Sequence, residues 1–154
     1  MSQIKFLKFN EINHDDLMAI VNEDSLRTHL IEHPYFDEAR LQSWIAEKID
    51  IDAMDGCRVR AVYIDEELAG WCGIQPDSHG FELAIVLSKK FWGSGRAIFN
   101  TLICWAKELE HQEVLFHLLD SRREYRSLNQ LATKVYKTEL SGRCFTTYHL
   151  QVGA

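Results

Sequence analysis

The segment FELAIVLSKKFWGSGRAIFNTLICWAKEL, at residues 81–109, narrows the folds open to this chain more than any other. Its first part, residues 81–88, is almost continuously apolar, which is typical of a strand covered on both faces of a sheet. A loop with Gly93 and Gly95 leads into a helix with one apolar face, and residues 113–119 form a second apolar run. A strand, a helix and a strand in this order predict a parallel pair joined by a right-handed crossover.

The rest of the chain predicts strands and helices on both sides of this unit. Alternating or apolar segments indicate further strands, and a 3.6-residue period indicates further helices. The strands are expected at 3–9, 57–65, 68–75 and 142–152, and the helices at 13–33, 36–54 and 121–136. The predicted fold class is α/β with a mixed α+β sheet, in the order β-α-α-β-β-β-α-β-α-β. Residues 1–154 contain no linker or repeat, so they are expected to form a single domain.

Composition and charge exclude several classes of function. Hydrophobic residues make up 46% and charged residues 26% of the chain, as in ordinary globular proteins. No segment resembles a signal peptide or a membrane span, so a cytoplasmic protein without a membrane partner is expected. The 23 acidic residues outnumber the 17 lysines and arginines, for a net charge of -6. This charge disfavours nucleic-acid binding, favours a cationic or amine-bearing partner, and leaves a homodimer open.

Neither a metal site nor a side-chain nucleophile is predicted. The four cysteines are far apart in apolar surroundings, with no C-x-x-C pair, and they are expected to be buried. His29 and His33 are four residues apart but lack a third ligand. His117, Asp120 and Ser121 are close in sequence, yet a strand directs the first two to opposite faces, and no G-x-S-x-G motif is present.

Gly93 and Gly95 stand where the apolar strand gives way to the helix. The first N–H groups of a helix are unpaired and carry partial positive charge, so they bind phosphate, and glycine lets an anion approach the backbone. The loop lacks the G-x-x-x-x-G-K-[ST] motif of nucleotide phosphate loops, and it comes too late in the chain for a dinucleotide-binding fold. A phosphate site and a plain tight turn are the two interpretations open at this point.

The order of elements and the loop WGSGRA resemble those of the GNAT superfamily of N-acetyltransferases over nearly the whole chain. The loop of that family is Q/R-x-x-G-x-G/A; Gly95 and Ala97 occupy its last two positions, and Trp92 stands where glutamine or arginine is usual. The strand, loop and helix together are most similar to the branch that acetylates ribosomal-protein and other protein N-termini or small amines. Ser127 matches the serine of the N-x-x-S helix in that branch, while Glu124 replaces the asparagine.

The resemblance implies a binding site for acetyl-CoA as co-substrate. Backbone groups of the strand would bind the pantetheine, N–H groups of the loop and helix would bind the pyrophosphate, and the later helix would add a serine. The implied cofactor-binding residues are Ile85, Val86, Leu87, Trp92, Gly93, Ser94, Gly95, Arg96, Ala97 and Ser127.

The resemblance also implies transfer of the acetyl group to a primary amine by direct attack in a ternary complex, with no metal. The acceptor would be a small molecule, a protein N-terminus or a lysine. Glu82 is the candidate base, because the amine must lose a proton. The alternative is that the Glu82 carboxylate only contributes to the local electrostatic field. Tyr136 is the candidate acid for the CoA thiolate, but in the register where Ser127 fills the motif it is a core residue.

A second functional interpretation comes from a different class. The same fold can serve as a catalytically silent module that binds an acyl-CoA or a partner protein. The departures from the family pattern at Trp92, at Glu124 and at Val135, which with Tyr136 replaces the Gly-Phe of that branch, keep this interpretation open.

Overall fold

In the computed structural model of the protein, residues 3–23, 36–78, 80–119, 126–140 and 143–153 are described. Their helices are α1 (His14–Val21), α2 (Glu38–Asp52), α3 (Gly95–Glu108) and α4 (Arg126–Leu131). Their strands are β1 (Ile4–Leu7), β2 (Arg58–Ile64), β3 (Glu67–Asp77), β4 (Gly80–Leu87), β5 (Glu113–Leu119), β6 (Ala132–Leu140) and β7 (Arg143–Gln151). Among these residues, no helix combines the length and the apolar composition of a membrane span.

The strands form one mixed sheet in the order β1-β2-β3-β4-β5-β7-β6. β4 and β5 are parallel, and every other neighbouring pair is antiparallel. α3 connects the parallel pair, as the strand–helix–strand unit in the sequence predicts. The predicted fold class, α/β with a mixed sheet, is therefore confirmed.

Helices cover the two faces of the sheet with separate apolar clusters. On one face, Leu41 of α2 belongs to the same cluster as Trp71 of β3. On the other face, α3 contributes the fully buried Ile98. β4 lies between the clusters, since its Val86 belongs to the first and its Leu87 to the second. The central strand is thus covered on both faces, which is why its sequence is continuously apolar.

The segment predicted as a helix at 121–136 differs in the structure. α4 ends at Leu131 and β6 begins at Ala132, so the prediction of helix at 132–136 is wrong and the predicted order lacked one strand. β6 pairs with β7 along its whole length, and this antiparallel ladder outweighs the local helical period. Residues 24–35, which hold most of the second half of the predicted first helix, lie outside the described residues.

The burial of the cysteines follows the prediction at two of the four positions. Cys57 and Cys72 are buried, and burial raises the pKa of both thiols. Cys104 and Cys144 are exposed, contrary to the prediction. Cys104 comes two residues after the buried Leu102 on α3, and two residues turn a helix by about 200°, so its side chain faces away from the core.

Gly70 marks a close approach of β3 to β4. Its φ is 156°, and a Cβ added there would lie 2.9 Å from Leu87 Cα and would collide with the Val86 carbonyl oxygen. Because the backbone must move to admit a methyl group, we expect Gly70→Ala to lower the free energy of unfolding by at least about 2 kcal/mol. Urea denaturation measures this change. Gly93→Ala is the control, since a Cβ there meets no heavy atom within 4 Å among the described residues other than its chain neighbours. Equal stability of the two variants would contradict the prediction.

Candidate active site

The sheet opens between β4 and β5. These parallel strands pair at Glu82↔Leu115 and Leu83↔Phe116 and at no later position in the described residues. In the same described residues, β4 continues to its end with β3 as its pairing partner and no second strand. The part of β4 with an open edge toward β5 includes the predicted pantetheine-binding residues Ile85, Val86 and Leu87. Such an edge offers backbone groups to an extended ligand, which binds like an added strand.

The glycine loop has a geometry that does not itself require glycine. Residues 89–94 form a 3₁₀ turn, and α3 begins at Gly95, whose φ of -57° and ψ of -37° are ordinary helical values. The N–H of Gly95 donates to the carbonyl of Trp92. Apart from its chain neighbours and the adjoining helix backbone, a Cβ added at Gly93 or Gly95 would have no heavy atom of the described residues within 4 Å. Since neither packing nor conformation explains these glycines, the open space beside the backbone favours the phosphate interpretation over a plain tight turn.

The start of α3 presents groups that suit an anion. Within the described part of the chain, the Ser94 side chain makes no capping hydrogen bond, so it leaves the first N–H groups of the helix to other acceptors. Arg96 and Ala97 are exposed in the first turn. Trp92 donates its indole N–H to the Leu87 carbonyl at 2.9 Å, which ties the loop to the end of β4. This contact gives Trp92 a structural role at the position where the family has glutamine or arginine.

Three polar side chains meet beside the point where β4 and β5 part. They are Asp77 from the end of β3, Glu82 from the start of β4 and His117 from β5. His117 Nε2 lies 3.0 Å from Asp77 Oδ2 and 3.4 Å from Glu82 Oε2. Their side chains are 12%, 21% and 11% exposed, respectively. Strand pairing therefore creates a largely buried cluster of two carboxyl groups and one imidazole.

A chain of hydrogen bonds connects α2 to this cluster. Lys48 Nζ donates to Gln75 Oε1 at 2.7 Å, and Gln75 Nε2 donates to Glu82 Oε1 at 2.7 Å. The Lys48 ammonium lies 4.4 Å from the centre of the Trp71 ring, and burial lowers the pKa of this lysine. Because Lys48 holds the amide oxygen of Gln75, the amide nitrogen faces Glu82 and fixes one oxygen of its carboxyl group.

The surroundings of Glu82 favour its protonated form. Burial is the largest cause, and it raises the pKa of Glu82 above the ordinary value of a glutamate. The hydrogen bond from Gln75 and the charge of His117 act in the opposite direction, while the neighbouring Asp77 adds to the rise. A carboxylate with a raised pKa is a stronger base, which suits it to accept a proton from an amine near neutral pH.

The two remaining predicted residues lie elsewhere. Tyr136 is on β6, and its hydroxyl is 2.9 Å from His149 Nε2, whose Nδ1 is 2.8 Å from Glu113 Oε1. β7 lies between β6 and β5, so Tyr136 does not adjoin Glu82. Ser127 is in α4, and its side chain lies outside the described part of the chain.

Sequence reasoning missed several members of the cluster. Asp77 lies just after the strand predicted at 68–75, and the sequence pattern associates His117 only with Asp120 and Ser121, which lie outside the described residues. The available signal was the histidine itself, a polar residue in the middle of the apolar run EVLFHLL. Its partners are forty and thirty-five residues away and meet it only through the pairing of β3, β4 and β5.

A model of the acetyltransferase (GNAT) family matches residues 20–138 of the sequence. The chain belongs to the GNAT acetyltransferase family. Members of this family use acetyl-CoA to acetylate amines. The superfamily resemblance is thereby confirmed, while the branch of protein N-terminal and small-amine acetyltransferases stays a prediction. Among curated proteins, the sequence has no significant match.

Several solved acetyltransferases share the fold. An N-acetyltransferase from Staphylococcus aureus is similar with a TM-score of 0.72 and 14% identity, over 99% of each chain. The spermidine N-acetyltransferase from Vibrio cholerae, in complex with CoA and spermine, has a TM-score of 0.70 and 15% identity, over 97% of this chain and 95% of that one. The Campylobacter jejuni N-acetyltransferase PseH, in complex with acetyl coenzyme A, has a TM-score of 0.63 and 16% identity, over 97% and 99%. At these identities the likeness concerns the fold alone.

Proposed function

We propose that this GNAT acetyltransferase transfers the acetyl group of acetyl-CoA to a primary amine by direct attack in a ternary complex, with Glu82 as the general base. The observation that carries the proposal is the partly exposed Glu82 carboxyl group, with its raised pKa, at the point where β4 and β5 part. An α-amino group is about 10% neutral at pH 7 and a lysine well under about 0.1%, so a base matters for either acceptor. Glu82 would take the proton through a water molecule.

The binding of acetyl-CoA is assigned to the open edge of β4 and the glycine loop. The thioester supplies the electrophilic carbonyl. Backbone groups of residues 85–87 would hold the pantetheine, and N–H groups between Gly93 and Ala97 would hold the pyrophosphate. A backbone N–H of Ile85 or Val86 would donate to the carbonyl oxygen, where negative charge develops during attack.

The acceptor is proposed to be a cationic amine. Asp77 and Glu82 place two carboxyl groups at the site, and the chain carries a net charge of -6. These charges favour an approaching ammonium group. One protein with a similar fold is a spermidine N-acetyltransferase, so polyamines join protein N-termini and lysine side chains as acceptors to be tested.

Release of CoA thiol in the presence of an amine panel tests the proposal. The panel contains spermidine, peptides with a free N-terminus and peptides with an internal lysine and a blocked N-terminus. We expect thiol release with at least one class, and a product heavier by one acetyl group in mass spectrometry. Thermal unfolding with and without acetyl-CoA is measured in parallel, since a ligand at about 100 times its dissociation constant stabilises a fold by about 2.7 kcal/mol.

The two measurements separate transfer from silent binding. Stabilisation by acetyl-CoA without thiol release for any amine would support the catalytically silent module. Stabilisation by neither acetyl-CoA nor free CoA would contradict the assignment of the glycine loop.

The role of Tyr136 as the acid that protonates the CoA thiolate stays a prediction, and one substitution tests it. If Tyr136 protonates the CoA thiolate, Tyr136→Phe lowers kcat at least about tenfold with little change in KM for acetyl-CoA. If its hydroxyl only bonds His149, the variant loses about 1 kcal/mol of unfolding free energy and keeps kcat. His149→Gln is the matched control, because it breaks the same hydrogen bond and keeps the phenol. The position on β6, away from Glu82, favours the second result.

A further inference from the structure

The cluster of Asp77, Glu82 and His117 has one inward-facing polar atom on each side chain. One ligand atom of each side chain lies within 4.8 Å of the other two, and Asp77 Oδ2 and Glu82 Oε2 are the carboxyl oxygens that contact His117 Nε2. The imidazole nitrogen lies 3.0 Å from the first oxygen and 3.4 Å from the second. The imidazole N–H can donate to one of these oxygens, and the Asp77 and Glu82 carboxyl groups also share a hydrogen bond, which needs a proton between them in a largely buried site. A single cation between the three atoms would take the place of that proton and neutralise both carboxylates.

The outward-facing atoms of the same side chains already have partners. Gln75 Nε2 donates to Glu82 Oε1 at 2.7 Å, and His117 Nδ1 is 2.8 Å from Thr147 Oγ1. Ser78 Oγ donates to Asp77 Oδ1 at 3.4 Å. Metal-binding histidines and carboxylates are oriented by hydrogen bonds of this kind on the atom that does not bind the ion. The three inward-facing atoms are thus held toward one point by their neighbours.

The separations fit a metal ion better than an ammonium group. Ligand atoms about 2.1 Å from one ion lie about 3.0 to 3.4 Å from each other, for octahedral or tetrahedral angles. Acceptors about 2.8 Å from an ammonium nitrogen lie about 4.6 Å apart. The distances of 3.0 and 3.4 Å from His117 Nε2 to the two carboxyl oxygens fall in the first range, which also includes the length of an ordinary N–H···O hydrogen bond. Two carboxylates and an imidazole suit a first-row transition metal, and three protein ligands leave a position for water.

We propose that Asp77, Glu82 and His117 bind a divalent transition-metal cation of the Zn²⁺ class through these three inward-facing atoms. The sequence predicts no metal because the ligands come from three different strands. Binding would occupy Glu82 Oε2, so the cation and the base function of Glu82 would exclude each other. The metal would therefore inhibit acetyl transfer; this consequence, unlike the binding itself, rests on the proposed function.

Direct metal binding, measured without acetyl-CoA, tests the proposal independently of catalysis. The protein is freed of metal with a chelator and titrated with Co²⁺, whose visible absorption reports its coordination, and Zn²⁺ is then added as competitor. We expect one equivalent of Co²⁺ to bind, with displacement by Zn²⁺. Asp77→Asn and His117→Gln are each expected to weaken Zn²⁺ binding at least about tenfold, because each removes a ligand.

His149→Gln is the matched control for these variants. His149 is also bonded to a carboxylate, Glu113, but it belongs to no three-ligand cluster in the described part of the chain, so its loss is expected to leave Zn²⁺ affinity unchanged. Circular dichroism is used to check that each variant is folded. If His117→Gln unfolds, the test relies on Asp77→Asn, which keeps the shape of the side chain. No Co²⁺ absorption and no Zn²⁺ binding at micromolar concentrations, or equal affinity in Asp77→Asn and the wild type, overturns the proposal. Zn²⁺ binding without loss of transfer would leave the site in place and overturn the role of Glu82 as base.

Discussion

Replacement of Glu82 by glutamine is expected to lower kcat at least about 100-fold, the usual contribution of a general base. The amide cannot accept the proton that the amine loses, while it keeps the shape of the carboxyl group and the hydrogen bond from Gln75 Nε2. The KM for acetyl-CoA should change little, because Glu82 precedes the open edge of β4 assigned to the pantetheine. Initial rates of CoA thiol release over a range of pH measure the effect.

The pH dependence gives the prediction a second readout. Burial raises the pKa of Glu82, so the wild-type rate should fall as pH drops through this raised value and the base becomes protonated. The residual rate of Glu82→Gln should lack that step. The stability follows the opposite course: the protonated Glu82 favours the folded state at low pH, and this contribution is lost as pH rises through the raised pKa. Glu82→Gln should therefore gain stability relative to the wild type as pH increases.

Glu113→Gln is the matched control for Glu82→Gln. Glu113 is also a carboxylate bonded to a histidine, but it lies at the start of β5 and contacts His149. We expect it to keep most of the wild-type kcat. A Glu82→Gln protein that retains most of its activity, with an unchanged pH profile, would show that Glu82 is not the base.

Substitution of Gly95 by glutamate is expected to weaken acetyl-CoA binding at least about tenfold while the fold remains stable. The added carboxylate would stand at the start of α3, where it repels a pyrophosphate and fills the space that the backbone leaves open. The helical φ and ψ of Gly95 and the empty surroundings of its Cβ predict no strain in the folded protein. Isothermal calorimetry with acetyl-CoA and thermal unfolding of the free protein measure the two effects.

Two companion variants separate charge from shape at this position. Gly95→Ala adds only a methyl group and is expected to leave the unfolding free energy unchanged or raise it by up to about 1 kcal/mol, since alanine favours helix over glycine. A loss of acetyl-CoA affinity in this variant would mark close approach of the ligand to the backbone. Asn100→Glu places the same charge on an exposed position of α3 and should bind acetyl-CoA normally. Equal affinities of Gly95→Glu and the wild type would contradict a pyrophosphate site here.

The parts of the fold that could be predicted are those specified by a side-chain pattern within one continuous segment. The apolar run of β4, the apolar face of α3 and the second run in β5 each specify their own structure, and together they imply the parallel pair. β6 was missed because its segment carries a helical period that pairing with β7 overrides. Whether such a segment forms a strand depends on the strand that pairs with it, and here that strand is β7, which follows β6 in the chain.

The residues of the candidate site also fall into two groups, those that a local pattern predicted and those that it did not. Glu82 and the glycine loop could be proposed because each belongs to one continuous segment whose pattern resembles a family motif. Asp77 and His117 could not be linked to Glu82 from their positions in the chain, and Lys48 lies further still. Their hydrogen bonds depend on the register between β3, β4 and β5 and on the packing of α2 over the sheet.

By itself, the sequence determined the strand–helix–strand unit, the mixed sheet around it and the glycines at the start of α3. These features follow from side-chain periodicity and from residues a few positions apart. Only the tertiary structure decided that β4 and β5 separate after two pairs, and that two carboxyl groups and an imidazole face one another beside that opening. The physical reason is that strand register and buried polar contacts depend on distances between residues far apart in the chain, which no local pattern contains.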